Sequence, residues 1–279
     1  MVEHPGSHFI YGTVPAGEFV LDYAMAGPLD ASVTLVSFPG SAGLEMSTAK
    51  DILAREYRVV EINPPGWGGK DDLLREMDMQ ELGRLLASAA NALVPDSYYI
   101  IGTSMGGVNA IHAAAQHPKR IRGIVLEGSM APARPEDLWT PPVDLDATRA
   151  EPDQSTIDSA AAETPAYPLP PLNPKKPWAT EDFVREQMMN RFKMFRWVRL
   201  DMLPESALAA VREAGIPVLA LLGESDEILK PTQEQVFSKH LPQTDFRLIP
   251  GGSHDLQNTA SDEFASLARV FVEAGPAGG

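Results

Sequence analysis

Residues Tyr98–Gly107 read YYIIGTSMGG, a run of β-favouring residues that passes directly into Gly-X-Ser-X-Gly. The small and apolar residues that follow, as far as Ala115, are typical of a tightly packed helix. The stretch therefore predicts a strand, a sharp turn at Ser104 and a helix. At such a turn the serine backbone is strained, and Gly102 and Gly106 are needed where a Cβ would strike a neighbouring strand or helix. We expect the Ser104 hydroxyl to be exposed at the tip of this turn.

The rest of the chain alternates between predicted strands and helices on both sides of this stretch. Apolar runs of the kind buried on both faces of a parallel sheet occur at residues 33–38, 58–62, 121–126, 216–222 and 245–249. Amphipathic helices are predicted at residues 79–93 and 261–274. Residues 8–13 and 18–24 are predicted to form an antiparallel hairpin around a turn at residues 14–17. The alternation predicts an α/β fold built on a mostly parallel, doubly wound sheet of about eight strands.

Residues 130–206 interrupt this alternation. Eleven of the 25 prolines lie in the part of this segment that precedes Thr180, so that part cannot be a regular βα unit. A helix is predicted to begin near Thr180, which offers an N-cap hydroxyl and is followed by acidic residues in the first turn. We therefore expect residues 1–129 and 207–279 to form the core, with residues 130–206 as a helical, proline-rich cap insert.

The composition favours a protein that acts on small molecules. A formal net charge of −15 works against binding nucleic acid or an anionic membrane, since either needs a concentrated cationic surface. The absence of cysteine excludes disulfide bonds, thiolate metal ligands and a cysteine nucleophile. The first residues do not form a signal peptide, and no apolar run approaches the length that spans a bilayer. We expect a cytoplasmic protein with a small-molecule substrate and no nucleic-acid or membrane partner.

Three residues with the chemistry of a catalytic triad lie just past predicted strand ends, where functional groups collect in an open parallel sheet. They are Ser104, Asp226 and His254, in the order serine, acid, histidine. With this order, the turn and the alternation, the chain resembles the α/β-hydrolase superfamily over nearly its whole length apart from the insert. The resemblance implies Ser104 as nucleophile, His254 as general base and then acid, and Asp226 as the carboxylate that orients the imidazole. Glu127, at the end of the preceding strand, is a rival for the acid because some relatives place the acid there.

The resemblance also implies an oxyanion hole made by two backbone N–H groups. One belongs to Met105, the residue after the nucleophile, and the other to the loop after the third strand, at Ser41. Residues 38–40 read Phe-Pro-Gly where many relatives have His-Gly, so the choice of the second donor stays open. Apolar binding walls are built from flexible side chains such as those near the end of the insert. The candidate substrate-binding residues are Gly40, Met188, Phe192 and Phe195.

The function that the resemblance favours is hydrolysis of a small or medium ester, thioester or lactone through an acyl-enzyme on Ser104. The resemblance thus implies a serine hydrolase of the carboxylesterase or lactonase type, for which we expect no cofactor and no metal. The Ser-Met-Gly-Gly string also resembles C–C bond hydrolases of ring-cleavage products and cofactor-free perhydrolases. A C–C hydrolase would bind a dienoic acid near a cation, for which Arg191 or Arg196 could serve. A non-catalytic ligand receptor is the third alternative.

Overall fold

The computed structural model describes residues 4–44, 46–68, 70, 73, 75–129, 179–199, 203–229 and 232–275. Most of the predicted insert therefore lies outside the described residues, and its boundaries at residues 130 and 206 stay a prediction. The side chains of Phe192 and Phe195 also lie outside the described part, although the helix that carries these two residues is defined.

The described residues contain short strands, helices and one 3-10 turn at Pro118–Arg120. The strands are β1 (Ile10–Ala16), β2 (Phe19–Ala26), β3 (Thr34–Phe38), β4 (Arg58–Ile62), β5 (Met77–Asp78), β6 (Tyr98–Thr103), β7 (Ile121–Glu127), β8 (Val198–Arg199), β9 (Val218–Gly223) and β10 (Thr244–Ile249). The helices are α1 (Thr48–Leu53), α2 (Met79–Leu93), α3 (Met105–Gln116), α4 (Glu181–Trp197), α5 (Glu205–Glu213), α6 (Gln233–His240), α7 (Leu256–Thr259) and α8 (Ser261–Ala274).

Eight strands form one sheet in the order β1-β2-β4-β3-β6-β7-β9-β10. Strand β2 pairs antiparallel with both β1 and β4, and all other neighbouring pairs in this sheet are parallel. Helices α2, α3 and α5 pack on one face, while α1 and α8 pack on the other. The predicted mostly parallel, doubly wound sheet is therefore confirmed.

The first hairpin is confirmed, but its turn was predicted in the wrong place. Val14 and Ala16 are buried and belong to β1, and the turn consists of Gly17, with φ +59°, and Glu18. Pro15 is tolerated within β1 because an edge strand has backbone N–H positions that pair with nothing in the sheet. The alternation of apolar residues outweighs the proline as a signal here.

The end of the insert is attached to the core. Helix α4 begins where predicted, with the Thr180 hydroxyl accepting a hydrogen bond from the Phe183 N–H at 3.2 Å. Directly after α4, β8 forms a short parallel ladder with β5, which directly precedes α2. No sequence pattern predicted this two-residue ladder.

Candidate active site

Ser104 lies at the tip of the turn between β6 and α3. Its φ of 51° and ψ of −117° make it the one non-glycine residue with positive φ in the described part of the chain. The Ser104 N–H donates to the Glu127 carbonyl at 2.8 Å, and the Ser129 hydroxyl donates to the Ser104 carbonyl at 2.9 Å. Both backbone groups of the strained residue are thus held by the end of β7 and the residues that follow it.

The glycines on either side of Ser104 are required sterically, as predicted. A Cβ on Gly106 would lie 2.0 Å from the Phe38 carbonyl oxygen, and one on Gly102 would lie 2.6 Å from the Gly107 Cα. These are backbone atoms that cannot move aside without disturbing β3 or α3. The turn can therefore hold only glycine at these two positions without local rearrangement.

His254 and Asp226 form a hydrogen-bonded pair beside this turn. The Nδ1 atom of His254 lies 2.9 Å from Oδ2 and 3.2 Å from Oδ1 of Asp226. Asp226 Oδ1 also accepts the backbone N–H groups of Ile228 at 2.8 Å and Leu229 at 2.9 Å, which fix the carboxylate. Since Nδ1 faces the carboxylate, the other ring nitrogen, Nε2, is left for a different partner.

The imidazole of His254 packs against Gly128, which sequence reasoning missed. A Cβ on Gly128, whose φ is +49°, would lie 2.9 Å from His254 Nδ1. Gly128 follows Glu127, the residue whose carbonyl holds the Ser104 N–H. The end of β7 therefore contacts Ser104 through the Glu127 carbonyl and the His254 ring through Gly128, and a side chain at position 128 would displace the ring. The Gly-Ser pair after an apolar strand was the available signal.

The rival acid Glu127 is fully buried and has other partners. Its carboxylate accepts hydrogen bonds from the Thr103 hydroxyl at 2.8 Å, from the Gln257 backbone N–H at 2.7 Å and from the Gln257 side-chain amide. Burial raises the pKa of this carboxyl, the charge of Asp255 raises it further, and the hydrogen bonds offset part of the change. Glu127 thus ties β6, which precedes Ser104, to α7, which follows His254, while His254 Nδ1 faces Asp226.

His254 and Asp226 shift each other's pKa. Burial of the His254 ring acts to lower its pKa, but the hydrogen bond to Asp226 and nearby negative charges outweigh burial, so the pKa is raised above 6.5. For Asp226, burial acts to raise the pKa, and the hydrogen bond and charge of His254 together with the two backbone N–H groups lower it below its usual value. The arrangement therefore favours an anionic carboxylate and a histidine that is a stronger base than usual.

The loop after β3, residues 40–44, approaches Ser104 and is held from several sides. A Cβ on Gly40 would lie 3.3 Å from the Ser104 Cβ, so the backbone passes close to the nucleophile candidate. The buried Trp67 indole N–H donates to the Ser41 carbonyl at 3.0 Å. The other oxyanion candidate, Met105, is the first residue of α3, where helix N–H groups have no partner within the helix. Both candidates thus lie on segments adjacent to Ser104.

Asn63, interpreted from the sequence as part of a structural turn, also holds loop 40–44. Its side-chain oxygen accepts the Leu44 N–H at 2.8 Å, and its own N–H donates to the Asp22 carbonyl at 2.8 Å. The turn that begins at Asn63 therefore holds the loop at Leu44.

The substrate-binding candidates on α4 are only partly placed by the described residues. Met188 is half-buried, and Arg191 and Arg196 are exposed, with the Arg196 guanidinium stacked 4.8 Å from the Trp197 ring. A cavity of about 390 Å³ follows one face of α4. It is lined by Asp182, Arg185, Glu186, Met189, Asn190 and Lys193. Met189, one position from the predicted Met188, is thus the methionine that faces this cavity.

Comparison with known proteins agrees with this architecture. Residues 35–260 match the family model described as the alpha/beta hydrolase fold. The chain belongs to the α/β-hydrolase family. The human serine hydrolase BPHL is 24% identical to it over 262 residues, which cover 91% of this chain and 83% of the relative. A thermophilic esterase from Thermogutta terrifontis superposes on this α/β-hydrolase with a TM-score of 0.66 at 18% identity, covering 95% of this chain and 98% of the esterase, and shows the shared fold.

A more identical but shorter match is a 2-hydroxy-6-oxononadienedioate/2-hydroxy-6-oxononatrienedioate hydrolase from Cupriavidus pinatubonensis. It is 34% identical over 95 residues, and the aligned part covers 33% of this chain and 33% of the relative. This α/β-hydrolase thus matches about a third of the length of that relative.

Among the residues that the structure describes, none of the helices combines the length and the apolar composition that spanning a membrane requires.

Proposed function

We propose that this chain is a serine hydrolase that works through an acyl-enzyme on Ser104, with His254 as general base and Asp226 as its orienting acid. The observation that carries the proposal is the hydrogen-bonded pair of His254 Nδ1 and Asp226 Oδ2, 2.9 Å apart. The end of β7 supports it, since its residues contact both the His254 ring and the backbone of Ser104, whose φ is 51°. A serine hydroxyl is a poor nucleophile at neutral pH unless a positioned base takes its proton. The pair supplies such a base and fixes its tautomer.

The proposed reaction has two stages, formation of the acyl-enzyme and its hydrolysis, and the same residues act in both. Ser104 Oγ forms a bond to the substrate carbonyl carbon while its proton passes to His254 Nε2, which gives a tetrahedral intermediate. The carbonyl re-forms, the bond to the leaving group breaks, and His254 returns the proton to that group. Water then attacks the acyl-enzyme in the same way and releases the acid and free Ser104. Asp226 keeps its negative charge throughout and stabilises the imidazolium.

The negative charge of each intermediate needs donors that are already in place. We assign this role to the backbone N–H groups of Met105 and Ser41, whose segments lie against Ser104. Loss of one such donor typically removes about 3 kcal/mol of transition-state stabilisation. The close packing of Gly40 on Ser104 supports the choice of loop 40–44 for the second donor.

Esters, thioesters and lactones are the substrate class that we favour. The alternative, cleavage of a C–C bond in a dienoic acid, is suggested by the relative from Cupriavidus pinatubonensis. It requires a cation for the substrate carboxylate, and the two arginines considered for this, Arg191 and Arg196, are exposed, with Arg196 stacked on Trp197. Arg185 and Lys193, which line the cavity along α4, are further cationic candidates for that reaction among the described residues.

Labelling followed by a substrate panel tests the proposal. We expect a small fluorophosphonate to modify the protein once, at Ser104, and Ser104→Ala to show neither labelling nor turnover. Labelling elsewhere, or turnover that persists in Ser104→Ala, contradicts the proposal. The panel compares p-nitrophenyl acetate and butyrate, an aryl thioester and a small lactone with a 2-hydroxy-6-oxo-dienoate. Faster turnover of the dienoate than of every ester would replace the ester proposal with C–C hydrolysis.

A further inference from the structure

Asn190 is a buried amide on α4 that contacts loop 40–44. Its side chain is 4% exposed, unlike the neighbouring Arg191, which faces solvent. The Nδ2 atom donates to the Ala42 carbonyl at 2.7 Å, and Oδ1 accepts the Gly68 N–H at 3.4 Å. A buried amide with a short bond to a backbone carbonyl fixes that peptide unit strongly, because the alternative is an unsatisfied polar group.

The peptide unit that Asn190 holds is linked to the proposed oxyanion donor by one further hydrogen bond. The Ala42 carbonyl belongs to the same rigid peptide plane as the Gly43 N–H. That N–H donates to the Gly40 carbonyl at 3.1 Å. The Gly40 carbonyl in turn shares its peptide plane with the Ser41 N–H. The chain of hydrogen bonds therefore runs from the Asn190 side-chain amide, through the peptide plane of residues 42–43 and that of residues 40–41, to the Ser41 N–H.

Packing around Gly43 holds the peptide planes of this chain of hydrogen bonds in place. Gly43 has a φ of +83°, and a Cβ there would lie 2.7 Å from Trp67, 2.8 Å from Asn63 and 2.9 Å from the Asn190 Nδ2. The loop thus has no room for a side chain at Gly43. Rotation of either peptide plane would lose a hydrogen bond and meet these side chains.

We propose that Asn190 is a positioning residue that orients and polarises the Ser41 N–H through the peptide planes of residues 40–43. This inference rests on the proposed function, since it gives the oxyanion hole a support from the cap insert. A hydrogen bond accepted by a peptide carbonyl makes the N–H of the same unit a stronger donor, so linked bonds reinforce one another. Donors held in place before the reaction stabilise the oxyanion without reorganisation.

Two substitutions test the role of Asn190. Asn190→Ala removes the donor, although a water molecule can replace it; Asn190→Asp keeps the shape and places an acceptor against the Ala42 carbonyl. We expect kcat to fall roughly tenfold in Asn190→Asp, with KM nearly unchanged, because a donor is weakened rather than lost. The dissociation constant of a trifluoromethyl ketone, which forms an oxyanion on the serine, should rise by the same factor.

Thr180→Ala is the matched control on the same helix. The Thr180 hydroxyl accepts the Phe183 N–H at 3.2 Å and so caps the first turn of α4. We expect this variant to lower the Tm, because an N-cap is lost, while kcat and ketone affinity stay at the wild-type level. A fall of kcat in Thr180→Ala equal to that in Asn190→Asp would show that the stability of α4 alone matters, and would overturn the inference.

The remaining outcomes separate this inference from the proposed function. Wild-type protein that fluorophosphonate does not label at Ser104 overturns both. Normal labelling of the wild type together with wild-type kcat in Asn190→Asp overturns only the role of Asn190. A rise in KM alone would make Asn190 a substrate contact and would likewise overturn its positioning role.

Discussion

The strain at Ser104 can be measured by comparing two substitutions of the same residue. The φ of 51° and ψ of −117° lie in a region that glycine adopts readily and other residues rarely do. Such a conformation costs about 1–3 kcal/mol for a non-glycine residue. Glycine removes this strain but loosens the unfolded chain, which costs about 0.5–1 kcal/mol relative to alanine. Ser104→Gly should therefore be more stable than Ser104→Ala by about 1 kcal/mol, with limits of about 0 and 2.5 kcal/mol.

The comparison isolates backbone strain because both variants lose the hydroxyl and keep the two backbone hydrogen bonds of position 104. These are the bonds from the residue 104 N–H to the Glu127 carbonyl and from the Ser129 hydroxyl to the residue 104 carbonyl. The variants differ only in the Cβ, whose neighbour across the loop is Gly40. Little packing is lost with the Cβ, so the sign of the difference follows the strain.

The free energies of unfolding should be determined by urea denaturation of both variants at one pH, with thermal unfolding as a second measurement. For domains of about 150–250 residues, 1 kcal/mol corresponds to roughly 2–4 °C in Tm, and for this chain of 279 residues the shift lies near the lower end of that range. We expect Ser104→Gly to melt higher than Ser104→Ala. A Ser104→Ala variant that is more stable than Ser104→Gly would refute the argument that the turn stores strain in the backbone.

Three further predictions test other parts of the structure. In a pH-rate profile, the acid limb of kcat/KM should have its midpoint above pH 6.5, because only neutral His254 accepts a proton and its pKa is raised. Asp226→Asn should lower both kcat/KM and the pH of that midpoint. Lys50→Met removes the 2.7 Å ion pair with the buried Glu61 carboxylate, so urea unfolding should show a loss of about 3–5 kcal/mol in the free energy of unfolding. Adding Glu61→Leu to this variant should restore most of the lost stability. Gly106→Ala places a Cβ 2.0 Å from a backbone carbonyl oxygen, and thermal unfolding should show about 3 kcal/mol of destabilisation, the upper end of the usual cost of overpacking. A Tm within 2 °C of wild type for the last variant would contradict the steric argument.

The parts of the fold that local patterns decide could be predicted from the sequence. Helices α2 and α8 have the predicted ends, residues 79–93 and 261–274, because each has a long amphipathic repeat with clear boundaries. The turn at Ser104 could be predicted because its glycines have a steric role that is visible in a few residues. The roles proposed for Asp226 and His254 are those that the resemblance to the α/β-hydrolase superfamily implies, and the structure brings these two side chains together.

The features that sequence could not supply depend on contacts between distant residues. Asn190 and Ala42 are 148 positions apart, and Gln257 and Glu127 are 130 positions apart. Neither pair has a local pattern, because an asparagine on a polar helix and a glutamine after a loop are both ordinary surface residues by composition. The pairs become visible only when the sheet brings the carboxyl ends of its strands together.

The two-residue ladder between β5 and β8 restricts how the carboxyl end of α4 can move. Asp78 belongs to this ladder and also caps α2, since its carboxylate accepts the Glu81 N–H at 2.7 Å. Helix α2 packs on α3, the helix that begins directly after Ser104. The carboxyl end of α4 is therefore fastened to the helical layer next to Ser104. Any movement of that end away from α2 has to break the ladder between Met77 and Val198 first.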